Sequence, residues 1–207
     1  IYPDLAAIER QFHQLLRTVP GGGRILVNAA DANLERVLQQ GCWSTVERFA
    51  RTGAAAVAHH WAADVPLHGD GSEFTVRVAG TVVGVVRWPL IGLHNVDNAL
   101  GAIAAAHHAG VTPERACAAL MNFAGVRRRM ELRGVAAGVK VYDDFAHHPT
   151  AIATTIDGLR RRVGRERIVA VLEPRSNTMR AGVHRDTLAD ALRGADSVWL
   201  YASANLG

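Results

Sequence analysis

The stretch Val141-Tyr142-Asp143-Asp144-Phe145-Ala146-His147-His148-Pro149-Thr150 decides the fold of the second half of the chain. An apolar, strand-like segment leads into two carboxylates, and two imidazoles then precede a proline of the kind that suits the first turn of a helix. The pattern predicts a strand that ends near the aspartates and a helix that begins at the proline. Polar side chains at the carboxyl end of such a strand lie where open α/β sheets bind ligands.

Working outward, the sequence on both sides of this stretch continues the α/β pattern. Upstream, residues 131–142 predict a hairpin with Gly134 and Gly138 as turn residues. Downstream, apolar periodicity predicts helices and strands in alternation. The predicted elements are a helix over 149–161, a strand over 167–172, a helix over 185–192 and a strand over 197–201.

The first half of the chain also reads as α/β, with antiparallel strands added to a parallel unit. Strands and helices alternate before residue 45, and the alternation of apolar residues over 72–88 predicts a hairpin. Two helices follow, the second opened by Thr112-Pro113-Glu114. The predicted elements are a helix over 4–17, a strand over 24–28, a helix over 31–40, an extended stretch from Cys42, the hairpin, and helices over 95–108 and from 112.

Composition limits the class of protein. The chain has 207 residues, 49% of them hydrophobic and 20% charged, and no apolar run is long enough to span a bilayer. The net charge of +4 is compatible with anionic ligands, while an aromatic content of 6% argues against nucleic acid as partner. Cys42 and Cys117 stand far apart, which favours a reducing, cytoplasmic setting. We therefore expect neither a membrane nor a nucleic-acid partner.

Gly92-Leu93-His94-Asn95-Val96-Asp97-Asn98 opens the Ala-rich helix. Asn95 and Asn98 are three residues apart, so both amides share one face of the first turn, where they can present donor and acceptor groups to a planar heterocycle such as adenine. The alternative is that His94 or Asn95 only caps the helix.

Arg127-Arg128-Arg129-Met130-Glu131-Leu132-Arg133 places four guanidinium groups within seven residues. Guanidinium groups bind polyphosphates well because each offers a charged, forked set of donors. The alternative is a solvated basic turn. We place a domain boundary near 126–130, which divides the chain into 1–127 and 128–207.

Two further loops follow strands and carry polar side chains. In the opening stretch, a carboxylate can hold ribose hydroxyls and the imidazoles can contact a carboxylate or phosphate. The alternatives there are an aspartate cap with an unrelated His pair, or a metal site of two Asp and two His. In Leu172-Glu173-Pro174-Arg175-Ser176-Asn177-Thr178-Met179-Arg180, the arginine, hydroxyls and amide can capture a carboxylate; the alternative is an exposed loop.

These four segments, in this order, resemble the Mur ligase family, which forms amide bonds of the murein peptide through an ATP-derived acyl phosphate. The resemblance implies a partial central domain of mixed sheet and helices, followed by an incomplete Rossmann-like carboxy-terminal domain. It implies that His94, Asn95 and Asn98 contact the base, that Arg129 with Arg128 beside it reaches phosphate, and that Asp144 holds the ribose. The cofactors implied are ATP and Mg²⁺.

The loop after residue 172 is similar to one branch of the family, which joins UDP-N-acetylmuramate to the recycled tripeptide L-alanyl-γ-D-glutamyl-meso-diaminopimelate. The branch that adds L-alanine usually carries a His-Arg-aromatic-Thr-Arg loop there instead. Arg129, His147 and His148 are the catalytic candidates that the resemblance implies. The substrate-binding candidates are His147, His148, Arg175, Ser176, Asn177 and Thr178.

The family's Gly-Lys-Thr phosphate loop and its Mg²⁺-binding Glu do not occur in these residues, and both ends read as cut. We therefore expect no metal ligands and no ligase turnover from residues 1–207 alone. A rival hypothesis is a non-catalytic Mur-like module that binds nucleotide or peptide. A weaker one is a domain that binds RNA or polyphosphate through the arginine cluster.

Overall fold

The computed structural model describes residues 2–52 and 60–201, so the predictions for the last six residues lie outside the described part. Within it, the chain divides into two compact units, each with its own core. One unit consists of Ile1–Pro66, Glu73–Trp88 and Val96–Phe123, and the other of Leu67–Ser72, Pro89–Asn95 and Ala124–Gly207.

The elements of the first half follow the predicted order. One strand was not predicted: its four residues are too short to show a repeating pattern. The elements are α1 Leu5–Leu16, β1 Arg24–Asn28, α2 Ala32–Gln39, β2 Thr45–Arg51, β3 Trp61–Asp64, β4 Glu73–Val78, β5 Thr81–Arg87, α3 Leu93–His108 and α4 Pro113–Leu120.

The first unit contains one mixed sheet in the order β1-β2-β3-β4-β5. The pairs β1–β2 and β2–β3 are parallel, whereas β3–β4 and β4–β5 are antiparallel, which confirms the predicted combination. Ala79 and Gly80 join β4 to β5 with φ of 47° and 84°, the left-handed conformations of a tight hairpin turn. The largest fully buried side chains among the described residues are Trp61, Phe74, Val76, Val86, Val96, Leu100 and Ile103.

Helix boundaries in the first unit follow their capping residues. Asp4 accepts the Ala7 amide N–H at 2.7 Å, and Thr112 accepts that of Arg115 at 3.4 Å ahead of Pro113, as predicted. By contrast, α3 begins at Leu93, two residues before the predicted start at Asn95. None of the helices in the described ranges has the length and apolarity needed to cross a bilayer.

The second unit contains a hairpin and a parallel pair of strands. Gly138 forms the predicted turn, but Gly134 does not: it lies at a bulge, where the β6 register shifts between Leu132 and Gly134. A one-turn helix, α6, was not predicted because a single turn has no visible period. The elements are β6 Glu131–Ala136, β7 Val139–Asp143, α5 Pro149–Val163, β8 Val169–Leu172, α6 Asn177–Arg180, α7 Arg185–Ala191 and β9 Ser197–Leu200.

In this unit β6 pairs with β7 antiparallel, and β8 pairs with β9 parallel, as a β-α-β connection requires. The two pairs form separate sheets. The core joins α5 to α6 and α7 through the buried residues Ile152, Ile156, Met179, Ala191 and Leu192. This packing fixes α5, whose first turn directly follows the polar loop of residues 143–148.

Candidate functional site

The turn that precedes β6 holds its arginines in an unusual backbone conformation. Arg128 and Met130 adopt φ of 59° and 50°, which is uncommon for residues with a Cβ. The Arg128 amide N–H donates to Glu131 Oε2 at 3.0 Å. That backbone hydrogen bond, followed by the guanidinium of Arg133, keeps the pKa of Glu131 below its usual value. The turn is therefore shaped by contacts of its own residues.

Asp144 connects this turn to β7 and α5. Its Oδ2 accepts the Met130 amide N–H and its Oδ1 accepts that of Ala146, both at 2.8 Å. The hydroxyl of Thr155 on α5 lies 3.4 Å from Oδ1. The proposed ribose carboxylate is thus held by three groups of the protein, and its direction is fixed before any ligand binds.

The three consecutive arginines point to different neighbours. Arg128 lies with its guanidinium carbon 5.0 Å from the centroid of the Phe145 ring, and its Nε is 3.5 Å from Asp143 Oδ2. Within the described part of the chain, Arg127 and Arg129 make no ion pair, and both line a cleft of about 530 Å³. These two guanidiniums are therefore available to an anionic group.

The cleft belongs entirely to the second unit. Apolar side chains, among them Leu90, Leu132 and Tyr142, form part of its lining beside the two arginines. Such a mixture of apolar surface and a few charged donors is typical of sites for small molecules that carry anionic groups.

His148 is the N-cap of α5, and its Nδ1 accepts the Thr150 amide N–H at 3.3 Å. Desolvation, the neighbouring His184 and then His147 lower the pKa of His148 from its ordinary value. A neutral ring that accepts through Nδ1 carries its proton on Nε2. His148 therefore offers a donor, and the expected helix start at Pro149 is confirmed.

His184 is a residue that sequence reasoning missed, because nothing in the spacing relates it to the earlier histidine pair. Its ring meets that of His148 edge to face, with centroids 4.6 Å apart. Its Nε2 is buried with no hydrogen-bond partner among the described residues. The contact brings the loop after β7 together with the segment that follows β8.

The segment after β8 is only partly held. Ser176 caps α6 by accepting the Met179 amide N–H at 3.2 Å, and its hydroxyl lies 3.2 Å from that of Thr178. The Arg175 side chain is 80% exposed and approaches Glu173 at 3.5 Å. Asn177 is the first residue of α6. The most exposed cation of the segment therefore has a single weak partner.

The base-binding candidates lie in the first turns of α3. The Asn95 side-chain Nδ2 donates to the Ile91 carbonyl at 2.7 Å, and the Asn95 amide N–H donates to the Gly92 carbonyl at 3.0 Å. His94 packs so closely on Gly92 that a Cβ there would lie 2.5 Å from the imidazole Cε1. Asn98 follows one turn later and is exposed. The side chains of His94 and Asn95 thus make contacts within the turn itself.

A metal site of two Asp and two His is not formed around residues 143–148. Over 2–52 and 60–201, no three His, Cys, Asp or Glu side chains are grouped so that they could hold a metal ion. The physical reason is that Asp144 accepts two amide N–H groups and His148 caps a helix.

Two family models match the chain: the Mur ligase middle domain over residues 1–106 and the Mur ligase glutamate ligase domain over residues 128–206. The chain is 51% identical over its whole length to the UDP-N-acetylmuramate--L-alanyl-gamma-D-glutamyl-meso-2,6-diaminoheptandioate ligase of Escherichia coli, covering 44% of that enzyme. It is 37% identical over 98% of its length to a UDP-N-acetylmuramate--L-alanine ligase of Solibacter usitatus, covering 42% of it.

A solved structure gives the same result. The chain matches a murein peptide ligase from Psychrobacter arcticus with a TM-score of 0.70 and 44% identity, over all of this chain and 42% of that one. This chain thus spans less than half the length of the relatives it matches. Together with the matched domain models, these similarities establish that the chain belongs to the Mur ligase family.

Proposed function

We propose that this chain is part of an ATP-dependent ligase that joins UDP-N-acetylmuramate to the tripeptide L-alanyl-γ-D-glutamyl-meso-diaminopimelate. The observation that carries the proposal is the 51% identity, over all 207 residues, to an enzyme named for that reaction. Identity to a ligase named for L-alanine is lower, at 37%. The loop Arg175-Ser176-Asn177-Thr178-Met179 supports the same branch, since it lacks the pattern of the L-alanine branch.

We divide the chain into residues 1–127, as part of the central domain, and residues 128–207, as part of the carboxy-terminal domain. The family matches over 1–106 and 128–206 support this division.

On the nucleotide side, we assign His94, Asn95 and Asn98 to the base and Asp144 to the ribose. Support for Asp144 comes from its geometry: Oδ2 has two lone pairs and accepts one amide N–H, so it can also accept a ribose hydroxyl. The amide contacts keep the carboxylate in a fixed orientation toward its ligand.

We assign Arg128 and Arg129 to the phosphates. ATP supplies the phosphoryl group that activates the muramate carboxylate, and Mg²⁺ compensates its charge when bound. Arg129 fits a role in stabilising that charge, because it forms no ion pair within the described residues and lines the cleft. Arg128 also contacts Phe145 and Asp143, so it orders the turn in addition.

On the peptide side, we assign His147, His148, Arg175, Ser176, Asn177 and Thr178. The contact between His148 and His184 supports a common peptide-binding role for the two loops, because it brings them together. With a lowered pKa and Nδ1 engaged at the helix cap, His148 acts as a hydrogen-bond donor to a carboxylate or phosphate. It is not suited to serve as the base.

The test is an assay of a full-length protein that contains this chain, with UDP-N-acetylmuramate and ATP and with either the tripeptide or L-alanine as acceptor. We expect the tripeptide to give the higher kcat/KM. Preference for L-alanine would place the protein in the other branch. Binding of a non-hydrolysable ATP analogue without ligation of either acceptor would favour a non-catalytic module.

The remaining partners follow from the same proposal. We expect no nucleic-acid partner; salt-dependent binding of oligonucleotides without competition by ATP would contradict this. We also propose a cytoplasmic location, which the free cysteines Cys42 and Cys117 support.

A further inference from the structure

The turn that carries His94 and Asn95 is fixed from outside by a residue far away in sequence. The Gly92 amide N–H donates to the backbone carbonyl of Asp70 at 2.6 Å. Gly92 has φ of 96°, a conformation that favours glycine, and its backbone hydrogen bond to Asp70 helps to fix where this turn begins. Asp70 is thus in direct contact with the start of the proposed base-binding segment.

The Asp70 side chain forms a second set of contacts. Its Oδ1 accepts the Ser72 amide N–H at 2.9 Å, and its Oδ2 pairs with the Arg162 guanidinium of α5, 92 residues away in sequence. Burial raises the pKa of the Asp70 carboxyl, but the hydrogen bonds from Ser72 and the charge of Arg162 together lower it by more. The net pKa therefore lies below its usual value. The carboxylate is therefore held in its ionised form.

Helix α5 approaches the same turn through a glycine. A Cβ added at Gly158 would lie 2.8 Å from Gly92 Cα and 3.0 Å from Gly92 N. Gly158 and Arg162 are four residues apart and therefore share one face of the helix. That face meets the turn directly through Gly158 and indirectly through the pair of Arg162 with Asp70.

We propose that Asp70, Arg162 and Gly158 are positioning residues for the Gly92–Asn95 turn and hence for adenine, an inference that rests on the proposed nucleotide role of that turn. Asp70 acts through its carbonyl on Gly92, Arg162 acts through Asp70, and Gly158 permits the close approach of the helix. Since Thr155 on the same helix contacts Asp144, α5 aligns the base turn with the ribose carboxylate.

The alternative is that Arg162 and Asp70 form an ordinary ion pair that contributes only to stability, as most partly exposed pairs do. The Arg162 side chain is 42% exposed, but that of Asp70 is only 14% exposed. Kinetic constants distinguish the two roles, because a misplaced base turn weakens the binding of ATP but not that of the other substrates.

The experiment compares Asp70→Asn and Arg162→Met with Arg161→Met in a full-length protein that contains this chain. Arg161 is the matched control: it pairs with Asp157 on the same helix at 2.8 Å, and within residues 60–201 it forms no hydrogen bond or ion pair with the turn. We expect the first two variants to raise the KM for ATP roughly three- to tenfold, with the KM for UDP-N-acetylmuramate unchanged. Arg161→Met should resemble the parent in both constants.

Asp70→Asn is the decisive variant, because Arg162 also lines the cleft and Asp70 does not. The asparagine keeps an oxygen for Ser72 but loses the charge that pairs with Arg162. Arg162→Lys should recover part of the affinity for ATP. If Asp70→Asn lowers the thermal midpoint yet leaves the KM for ATP at the value of Arg161→Met, the positioning role is wrong.

Gly158→Ala provides a second test that does not involve charge. The added methyl group forces the turn to move, so we expect a larger rise in the KM for ATP than in Arg162→Met. Should this variant fail to fold, the Asp70→Asn result still decides.

Two outcomes separate this inference from the proposed function. If the parent protein ligates normally and Asp70→Asn, Arg162→Met and Gly158→Ala all keep its KM for ATP, this inference alone is overturned. A parent that binds no adenine nucleotide overturns the proposed function as well, since the turn then has no base to position.

Discussion

Two polar regions of the second unit are built in different ways. Around Asp144, each carboxylate oxygen accepts an amide N–H at 2.8 Å, so the geometry is set by the protein itself. In the segment after β8, Arg175 is 80% exposed and has one partner at 3.5 Å. The difference indicates that the proposed nucleotide side is preorganised, whereas the proposed acceptor side is ordered by its ligand.

The largest expected effect is at Asp144. Asp144→Ala leaves the amide N–H groups of Met130 and Ala146 without their acceptor, which should cost about 2 kcal/mol of stability and lower the thermal midpoint by roughly 5 °C. The KM for ATP should rise as well. Asp143→Ala is the control: among the described residues, that carboxylate pairs with Arg128 alone, at 3.5 Å, so its loss should cost under about 0.5 kcal/mol. Equal losses in both variants would show that the amide contacts of Asp144 do not hold this region in place.

An intermediate effect is expected at Arg175. Arg175→Met should leave the thermal midpoint and the KM for ATP unchanged, because the side chain is almost fully exposed. The KM for the tripeptide should rise about tenfold, the scale of one lost charge-assisted hydrogen bond. Arg193→Met is a matched control, since Arg193 is 78% exposed. A tripeptide KM equal to that of the control would show that Arg175 is not part of the acceptor site.

The smallest effect concerns pH and His148. Its lowered pKa means that the folded state binds fewer protons than the unfolded state when the pH lies between the folded value and the ordinary value of 6.5. Stability should therefore rise with pH through this window and fall as the pH drops from 7.5 toward 5.5. His148→Asn keeps a cap acceptor for α5 and should flatten this dependence, as followed by thermal midpoints at a series of pH values. An unchanged slope would contradict the assignment to His148.

Much of the fold could be predicted from local patterns. The cap Thr112, the hairpin over 72–88 and the helix start at Pro149 each depend on residues close in sequence, and each is confirmed. Elements of four residues, β3 and α6, show no period and were missed. The bulge at Gly134 was read as a turn because glycine serves both purposes.

The contacts that hold the candidate site together were harder to predict from the sequence than the residues that form it. Proximity in sequence identified Asp144 and His148 but gave no sign of what holds them. The contact of His148 with His184 and the pairing of Asp70 with Arg162 join residues 36 and 92 positions apart. Such contacts depend on how helices pack, which no local pattern records.

The left-handed backbone at Arg128 and Met130 has a consequence for engineering. Residues with a Cβ are less stable in this conformation than glycine, by about 1–2 kcal/mol, and glycine occupies several other left-handed positions of the chain, such as Gly125 and Gly138. Replacing Arg128 by glycine is thus an obvious route to a more heat-resistant protein. It also removes the guanidinium from Phe145. The relieved backbone strain and the lost contact with Phe145 therefore act in opposite directions, and their difference sets the change in the thermal midpoint.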